Sequence, residues 1–233
     1  MPITGEKVVD LKRIRISDKK LRLIVRCFVY DCTASQSANL VQVNRNTVNR
    51  YYALLRRLVL KDACLKRKSS KIENGIEVDE SYFGARRVKG KRGRGASKKI
   101  VVLGLRKRDG KVYAQIIPNA SREVVMPIIR RTVKSGADIY TDGWKSYDAL
   151  AVYGYNHKKV NHSKNEFVRE EVHINGVESF WSWAKRRLAK FNGVSKQLFP
   201  TYLLETEWRF NHRNDTLNEM RKLIKEYKKA YSS

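Results

Sequence analysis

Between residues 75 and 141 the sequence carries four short strand-like runs, broken once by a helical period. Residues 75–83, GIEVDESYF, alternate, which puts Ile76 and Val78 on one face of a strand and Glu77 and Asp79 on the other. Residues 100–105, IVVLGL, form a continuous apolar run, the pattern of a buried strand. Asp109-Gly110 is a two-residue hairpin signal that returns the chain antiparallel through residues 111–117. Ser121 then caps a helix whose apolar face is Val124, Val125, Ile128, Ile129 and Val133, ending near Gly136. Residues 137–141, ADIYT, make a short strand that finishes at Asp142-Gly143.

A helix from Trp144 to Leu150, a strand within residues 152–160 and a helix over HINGVESFWSWAKRRL extend the alternation. Three antiparallel strands followed by alternating helices and strands predict a ribonuclease H-like fold, a mixed α/β sheet flanked by helices. Two further helices, within residues 196–211 and 217–231, are expected to pack on this layer.

The first 65 residues keep a different period. Leu21, Ile24, Val25 and Phe28 recur at helical spacing, Thr33 or Ser35 can cap a second helix, and Asn44 a third that runs to about Leu60. Two short helices, a tight turn and a longer polar-faced helix predict a small all-α helix-turn-helix domain over residues 1–65. ANLVQVNRNTVNRYY resembles the core of that motif, with Ala38, Val43 and Val48 inward, although Gln42 stands where a turn glycine is usual. Arg45, Asn46, Thr47, Asn49 and Arg50 would then face a DNA major groove. Polar residues 66–74 are expected to be a linker, 75–214 the catalytic domain and 215–233 a C-terminal helix.

Charge points the same way. Fifty Lys and Arg against 23 Asp and Glu give a net +27, a field that concentrates polyanions, nucleic acid first among them. Residues 86–99 hold eight basic residues and no acid, so a phosphate-contacting loop is expected with Arg86, Arg87, Lys89, Lys91, Arg92 and Arg94. No apolar run approaches the roughly 18 residues of a spanning helix, and the first residues lack a signal-peptide layout, so a cytoplasmic, nucleoid-associated protein is expected. Cys27, Cys32 and Cys64 are too few and wrongly spaced for a zinc site or a disulfide framework.

Three acids remain to be explained. The topology puts Asp79 in the first strand, Asp142 at the carboxyl end of the fourth, its neighbour, and Glu178 on the last helix of the layer. Singly, each has an ordinary role: a polar strand residue, a turn former before Gly143, and a capping-box partner of Asn175. Together they would form a carboxylate cluster, tolerable chiefly when divalent cations neutralise it, and hard oxygen ligands suit Mg²⁺ or Mn²⁺. Such a site permits two-metal phosphoryl transfer with no covalent nucleophile. The histidines at 157, 162, 173 and 212 lack metal-pair spacing. Phe180 and Trp183 are expected to anchor the last helix on the sheet, with Lys185 on the Glu178 face. Glu123 is on the helix after the third strand, where ribonucleases H of this fold place a ligand, and in that helix's first turn, where macrodipole compensation is the ordinary explanation.

VDESYFG around Asp79, YTDGWKSY around Asp142 and HINGVESFWSWAKRRL around Glu178 resemble the DDE transposases of bacterial insertion sequences, the ISXO-like group in particular. In that group a lysine follows the third acid by seven positions, as Lys185 follows Glu178, and 178 − 142 − 1 = 35 residues separate the last two acids here. The resemblance implies that Asp79, Asp142 and Glu178 are the catalytic metal ligands, for two Mg²⁺ or Mn²⁺ ions. It implies that Lys185, with Arg186 beside it, contacts transposon-end DNA. The implied partners are double-stranded DNA, both element terminal repeats and target, and a second copy of the chain, since two ends are cut together. Many relatives begin with a cysteine-rich zinc ribbon that this sequence lacks, which leaves end recognition to the helix-turn-helix. The alternatives are a ribonuclease H-like nuclease or resolvase, and an inactive transposase-derived DNA-binding protein.

Overall fold

The computed structural model describes residues 16–69, 71–73, 75–84, 99–108, 110–142, 145–160 and 174–230. The basic stretch with Arg86, Arg87, Lys89, Lys91, Arg92 and Arg94, like His162 and His173, lies outside these residues. The chain divides into two compact units, residues 1–65 with 212–233, and residues 66–211.

In the first unit, α1 (Asp18–Val29), α2 (Ala34–Val41) and α3 (Arg45–Ser69) follow one another closely. Ser17 caps α1, accepting the Lys20 N–H, and Thr33 with Gln36 forms a full capping box at the start of α2. Asn44 accepts the Asn46 N–H at 2.7 Å and so starts α3 as expected. Between α2 and α3 the chain turns through Gln42, whose φ of 54° and ψ of 58° are left-handed. The position therefore has the conformation a turn glycine would adopt, reached here by a residue with a side chain. Inside the unit Ile24, Phe28, Val48 and Val59 are buried, and the Phe28 and Tyr52 rings meet edge to face at 5.1 Å. Ala38 is buried as expected, but Val41 rather than Val43 is its inward companion.

Two boundaries differ from the sequence reading. Helix α3 does not stop near Leu60 but continues to Ser69, into the stretch expected as a linker. That stretch opens with Lys66, Arg67 and Lys68, good helix formers despite their polarity. Helix α7 (Thr216–Ala230) packs on α1 in the first unit, not on the sheet layer.

The second unit is built on a five-stranded sheet in the order β3-β2-β1-β4-β5. Its strands are β1 (Ile76–Phe83), β2 (Ile100–Lys107), β3 (Val112–Ile117), β4 (Asp138–Asp142) and β5 (Asn156–Val160). The first three are antiparallel neighbours, and β4 and β5 join parallel to β1. Lys107 donates its N–H to the Lys111 carbonyl at 2.9 Å across the β2–β3 reversal, and Asp109 of the expected hairpin turn lies outside the described residues. Helix α4 (Arg122–Thr132) covers one face, where Val125 and Ile129 meet Ile76, Val78, Leu103, Leu105 and Ile139. Ser121 stands at its N-cap but makes no side-chain capping bond. Helices α5 (Asn175–Ala189) and α6 (Phe199–Asn211) cover the other face, with Val102, Ala114 and Tyr140 packed under Val177, Phe180, Trp181 and Leu203. The helix expected from Trp144 is instead two 3-10 turns, Lys145–Tyr147 and Ala151–Tyr153.

Candidate active site

Strands β1 and β4 run parallel with Ile76 opposite Ile139, Glu77 opposite Tyr140 and Val78 opposite Thr141. The next step of that register carries Asp79 and Asp142. Side chains alternate along a strand, so Asp79 shares its face with Glu77, the face that α5 covers. The two aspartates thus stand side by side where the β1–β4 ladder ends.

Helix α5 brings the third acid over this edge, though not as expected. Ile174, not Asn175, is its N-cap, and no side chain closes the first turn, so the expected box between Asn175 and Glu178 is absent. Instead the buried Glu77 carboxylate accepts the Val177 N–H at 2.7 Å. Glu77 also pairs with Arg106 at 3.4 Å and approaches Arg108 at 3.9 Å. Strand alternation puts Glu77 on a solvated face; the structure buries it because a distant helix terminus and two guanidiniums satisfy it.

The anchors of α5 also differ. Phe180 is fully buried as expected, but its companion is Trp181, 4% exposed, while Trp183 is half-buried against Phe210 at 5.6 Å. The Trp181 indole N–H donates to Asp79 Oδ2 at 3.1 Å. One turn on, the exposed Lys185 has its ammonium 5.8 Å from the Phe83 ring centroid. Glu178 and Arg186 are exposed on the same helix.

Electrostatics tie these groups together. Burial pushes the Asp79 carboxyl up to about 6, the charges of Asp142 and Glu178 push it the same way, and the Glu80 backbone and Trp181 donors oppose them. Glu80, which accepts the Tyr147 hydroxyl at 2.5 Å, is pushed up to about 7, again first by burial and then by Asp79 and Asp142. Burial lowers Lys185, while Asp79 holds it up. Sequence reasoning missed Glu80; its place beside Asp79 in β1 was the available signal. Among the described residues no three His, Cys, Asp or Glu side chains converge closely enough to hold a metal ion. The donor set around Asp79 is nonetheless all carboxylate oxygen with mutual repulsion, which fits Mg²⁺ or Mn²⁺ and not a softer metal.

Elsewhere the expected residues stand apart from this cluster. Arg45, Asn46, Asn49 and Arg50 are exposed on the first turns of α3, with Thr47 half-buried. Glu123 is exposed, and its own backbone N–H and Ser121 lower its carboxyl. His157 bonds Thr141 Oγ1 at 2.9 Å, and burial lowers its imidazole. Cys27, Cys32 and Cys64 are free thiols.

An antiparallel β1–β2–β3 meander, extended by parallel β4 and β5 and covered by helices on both faces, defines the ribonuclease H-like class. Residues 71–211, more than half of the sequence, match the model of the ISXO2-like transposase domain. The chain belongs to that family and is a DDE-type insertion-sequence transposase, a class that depends on divalent metal. It is 46% identical over 102 residues to an uncharacterized transposase-like protein of Haemophilus influenzae, covering 44% of this chain and 82% of that one. It is 31% identical over 150 residues to an uncharacterized protein in transposable element ISH50 of Halobacterium salinarum. That match covers 57% of this chain and spans half the length of the relative. A chain of the Mos1 strand transfer complex aligns with a TM-score of 0.36 at 13% identity, over 95% of this chain and 81% of that one, too slight a likeness to argue from. No described helix is long and apolar enough to cross a membrane.

Proposed function

We propose that this transposase cuts the ends of its own element and joins them to target DNA, with Asp79, Asp142 and Glu178 as ligands of divalent metal. The observation that carries the reading is the β1–β4 register, which sets Asp79 beside Asp142 under the helix that bears Glu178 and Lys185. When bound, Mg²⁺ or Mn²⁺, most simply two ions, would activate the attacking oxygen and stabilise the leaving one.

The chain's own residues have separable parts. Asp79, half-buried and hydrogen-bonded, is the fixed member of the triad, whereas Glu178 is exposed on the helix that carries it. Lys185 stays cationic on the face of α5 shared with Glu178 and offers its ammonium to a phosphate of the element end. In the first step water attacks a phosphorus at the element end, the P–O3′ bond breaks, and the departing 3′-oxygen takes a proton. In the second that 3′-hydroxyl attacks a target phosphorus and loses its proton, and the target 3′-oxygen leaves with one. One phosphodiester replaces another, so no external energy source is required.

Recognition of the ends falls to α3, where Arg45, Asn46, Thr47, Asn49 and Arg50 occupy the first turns after a tight bend. Arg86, Arg87, Lys89, Lys91, Arg92, Arg94 and Arg186 would add phosphate contacts, and the net +27 makes affinity fall steeply with salt. Two ends call for two active sites, so the working form is a dimer or larger assembly on DNA.

The test is an assay with purified full chain, labelled element ends, target plasmid and Mg²⁺. Strand-transfer products that vanish in Asp79→Ala, Asp142→Ala and Glu178→Ala bear the reading out. Full activity in Asp79→Ala, or cleavage of hybrids or branched DNA without joining, overturns it.

A further inference from the structure

We infer that Trp181 is a positioning residue for the Asp79 carboxylate, and that Gly104 is the notch through which it reaches that carboxylate. The inference rests on the proposal that Asp79 is a metal ligand. In the β1–β2 ladder Asp79 lies directly opposite Gly104. A Cβ at position 104 would run into the indole, with Cη2 of Trp181 only 2.9 Å away and Cζ2 nearer still. Its φ is not in the left-handed region, so space rather than backbone freedom calls for glycine here. The six-membered ring of Trp181 thus crosses the strand where the side chain opposite Asp79 would stand, and its N–H reaches Oδ2 at 3.1 Å.

Burial alone does not account for this arrangement. Phe180, the preceding residue, is fully buried with no polar atom, and Phe83 packs edge-on to Trp181 at 6.0 Å. A phenyl ring would fill most of the same space; what the indole adds is one neutral donor aimed at one oxygen. Neutrality matters. Asp79 already feels the charges of Asp142 and Glu178. An Arg or Lys in this position would fix the carboxylate but cancel the negative charge a divalent cation needs. An indole fixes Oδ2, adds no charge and leaves Oδ1 to the cation. Partners that orient a metal ligand are typically worth 10–100-fold in metal affinity.

The experiment measures Mn²⁺ binding to the full chain from the electron paramagnetic resonance of free Mn²⁺, beside melting without metal. The proteins are wild type, Asp79→Asn, Trp181→Phe, Gly104→Ala and the double variant. Trp181→Phe is expected to weaken Mn²⁺ binding about tenfold while secondary structure and cooperative melting persist. Gly104→Ala should weaken it similarly when Trp181 is present. It should add less than about twofold when Trp181→Phe has removed the ring it would strike. If Trp181→Phe does not fold, replacing Trp181 with 3-benzothienylalanine, which keeps the bicyclic shape without the N–H, supplies the same comparison. Wild-type Mn²⁺ affinity in the variants that lack the N–H, with binding lost in Asp79→Asn, overturns this inference alone. Unchanged binding in Asp79→Asn overturns the metal-site reading and this inference with it.

Discussion

The Glu77 carboxylate accepts the backbone N–H of Val177 at 2.7 Å, one residue before Glu178. The same strand therefore carries both the first acid of the site and, two residues earlier, the anchor for the helix that bears the third. Gly176 is part of this joint, since a Cβ there would lie 2.6 Å from Glu77 Oε2 and closer to the Arg106 guanidinium. Removing Glu77 takes the fully buried carboxylate from the half-buried Arg106 and Arg108 and the acceptor from the Val177 N–H. Glu77→Ala is expected to cost about 3–5 kcal/mol in denaturant unfolding, and Glu77→Gln less, since its amide oxygen still accepts the Val177 N–H. A cost below about 1 kcal/mol for Glu77→Ala would mean that the α5 terminus is held by other contacts.

Asp79 and Glu80 give stability a pH dependence of definite sign. Both carboxyls are held above their ordinary range, at about 6 and about 7, so the folded state binds protons more tightly than the unfolded one. Their contribution is complete below about pH 4 and is lost as pH rises through 6 to 7. Metal-free protein should lose stability between pH 5 and pH 8. Asp79→Asn should remove part of that loss, on the order of 1 kcal/mol of the change between pH 5 and pH 8. Mg²⁺ should raise Tm more at pH 8 than at pH 5, because it binds the ionised carboxylates. Calorimetry at the two pH values, with and without Mg²⁺, checks both.

A second buried ion network joins α5 to α6. Arg187 bonds Glu205 at 2.6 Å, Glu205 bonds Arg209 at 2.8 Å, and all three side chains are at most 5% exposed. Glu205→Ala removes the carboxylate between two buried guanidiniums and should cost about 3–5 kcal/mol. Because Arg187 lies two residues beyond Lys185, activity should fall together with stability rather than ahead of it. Melting and strand-transfer rates measured on the same preparation decide the point.

In the first unit the turn at Gln42 offers a gain. Its left-handed conformation costs a residue with a side chain about 1 kcal/mol that glycine does not incur. Gln42→Gly also gives up the bond from Nε2 to the Asn39 carbonyl at 2.8 Å, an exposed contact of small net worth. Gln42→Gly should therefore raise stability by about 0.5 kcal/mol, read as a higher denaturation midpoint.

What was legible in the sequence follows from how local each cause is. Strand and helix order, the Thr33 and Asn44 caps and the neighbouring aspartates come from short-range patterns and from the few ways that βββαβ can fold. Glu77 shows where this ends. Alternation predicts its face correctly, yet whether that face meets water depends on a helix that begins about a hundred residues later and on Arg106 and Arg108. Helical spacing predicts Trp183 rather than Trp181 as the anchor, because spacing alone does not say how wide the buried stripe is. The half-buried Trp183 sits at the edge of that stripe, and Trp181 is inside it because Gly104 leaves room. Residues 66–69 looked like a linker through their charge, although charged residues with good helix propensity extend α3 at no cost. Arg187, Glu205 and Arg209 carry charges whose burial the sequence does not signal, since Arg187 on α5 is satisfied by Glu205 and Thr206 on α6, about twenty residues later.

The most direct test of the account is a crystal structure of the full chain soaked in Mn²⁺, with anomalous diffraction to locate the ions. The account predicts one or two Mn²⁺ bound by Asp79, Asp142 and Glu178, with Trp181 still bonded to Asp79 and the ions lost in Asp79→Asn. Anomalous peaks elsewhere, or none at this site under Mn²⁺ that supports strand transfer in solution, would contradict it.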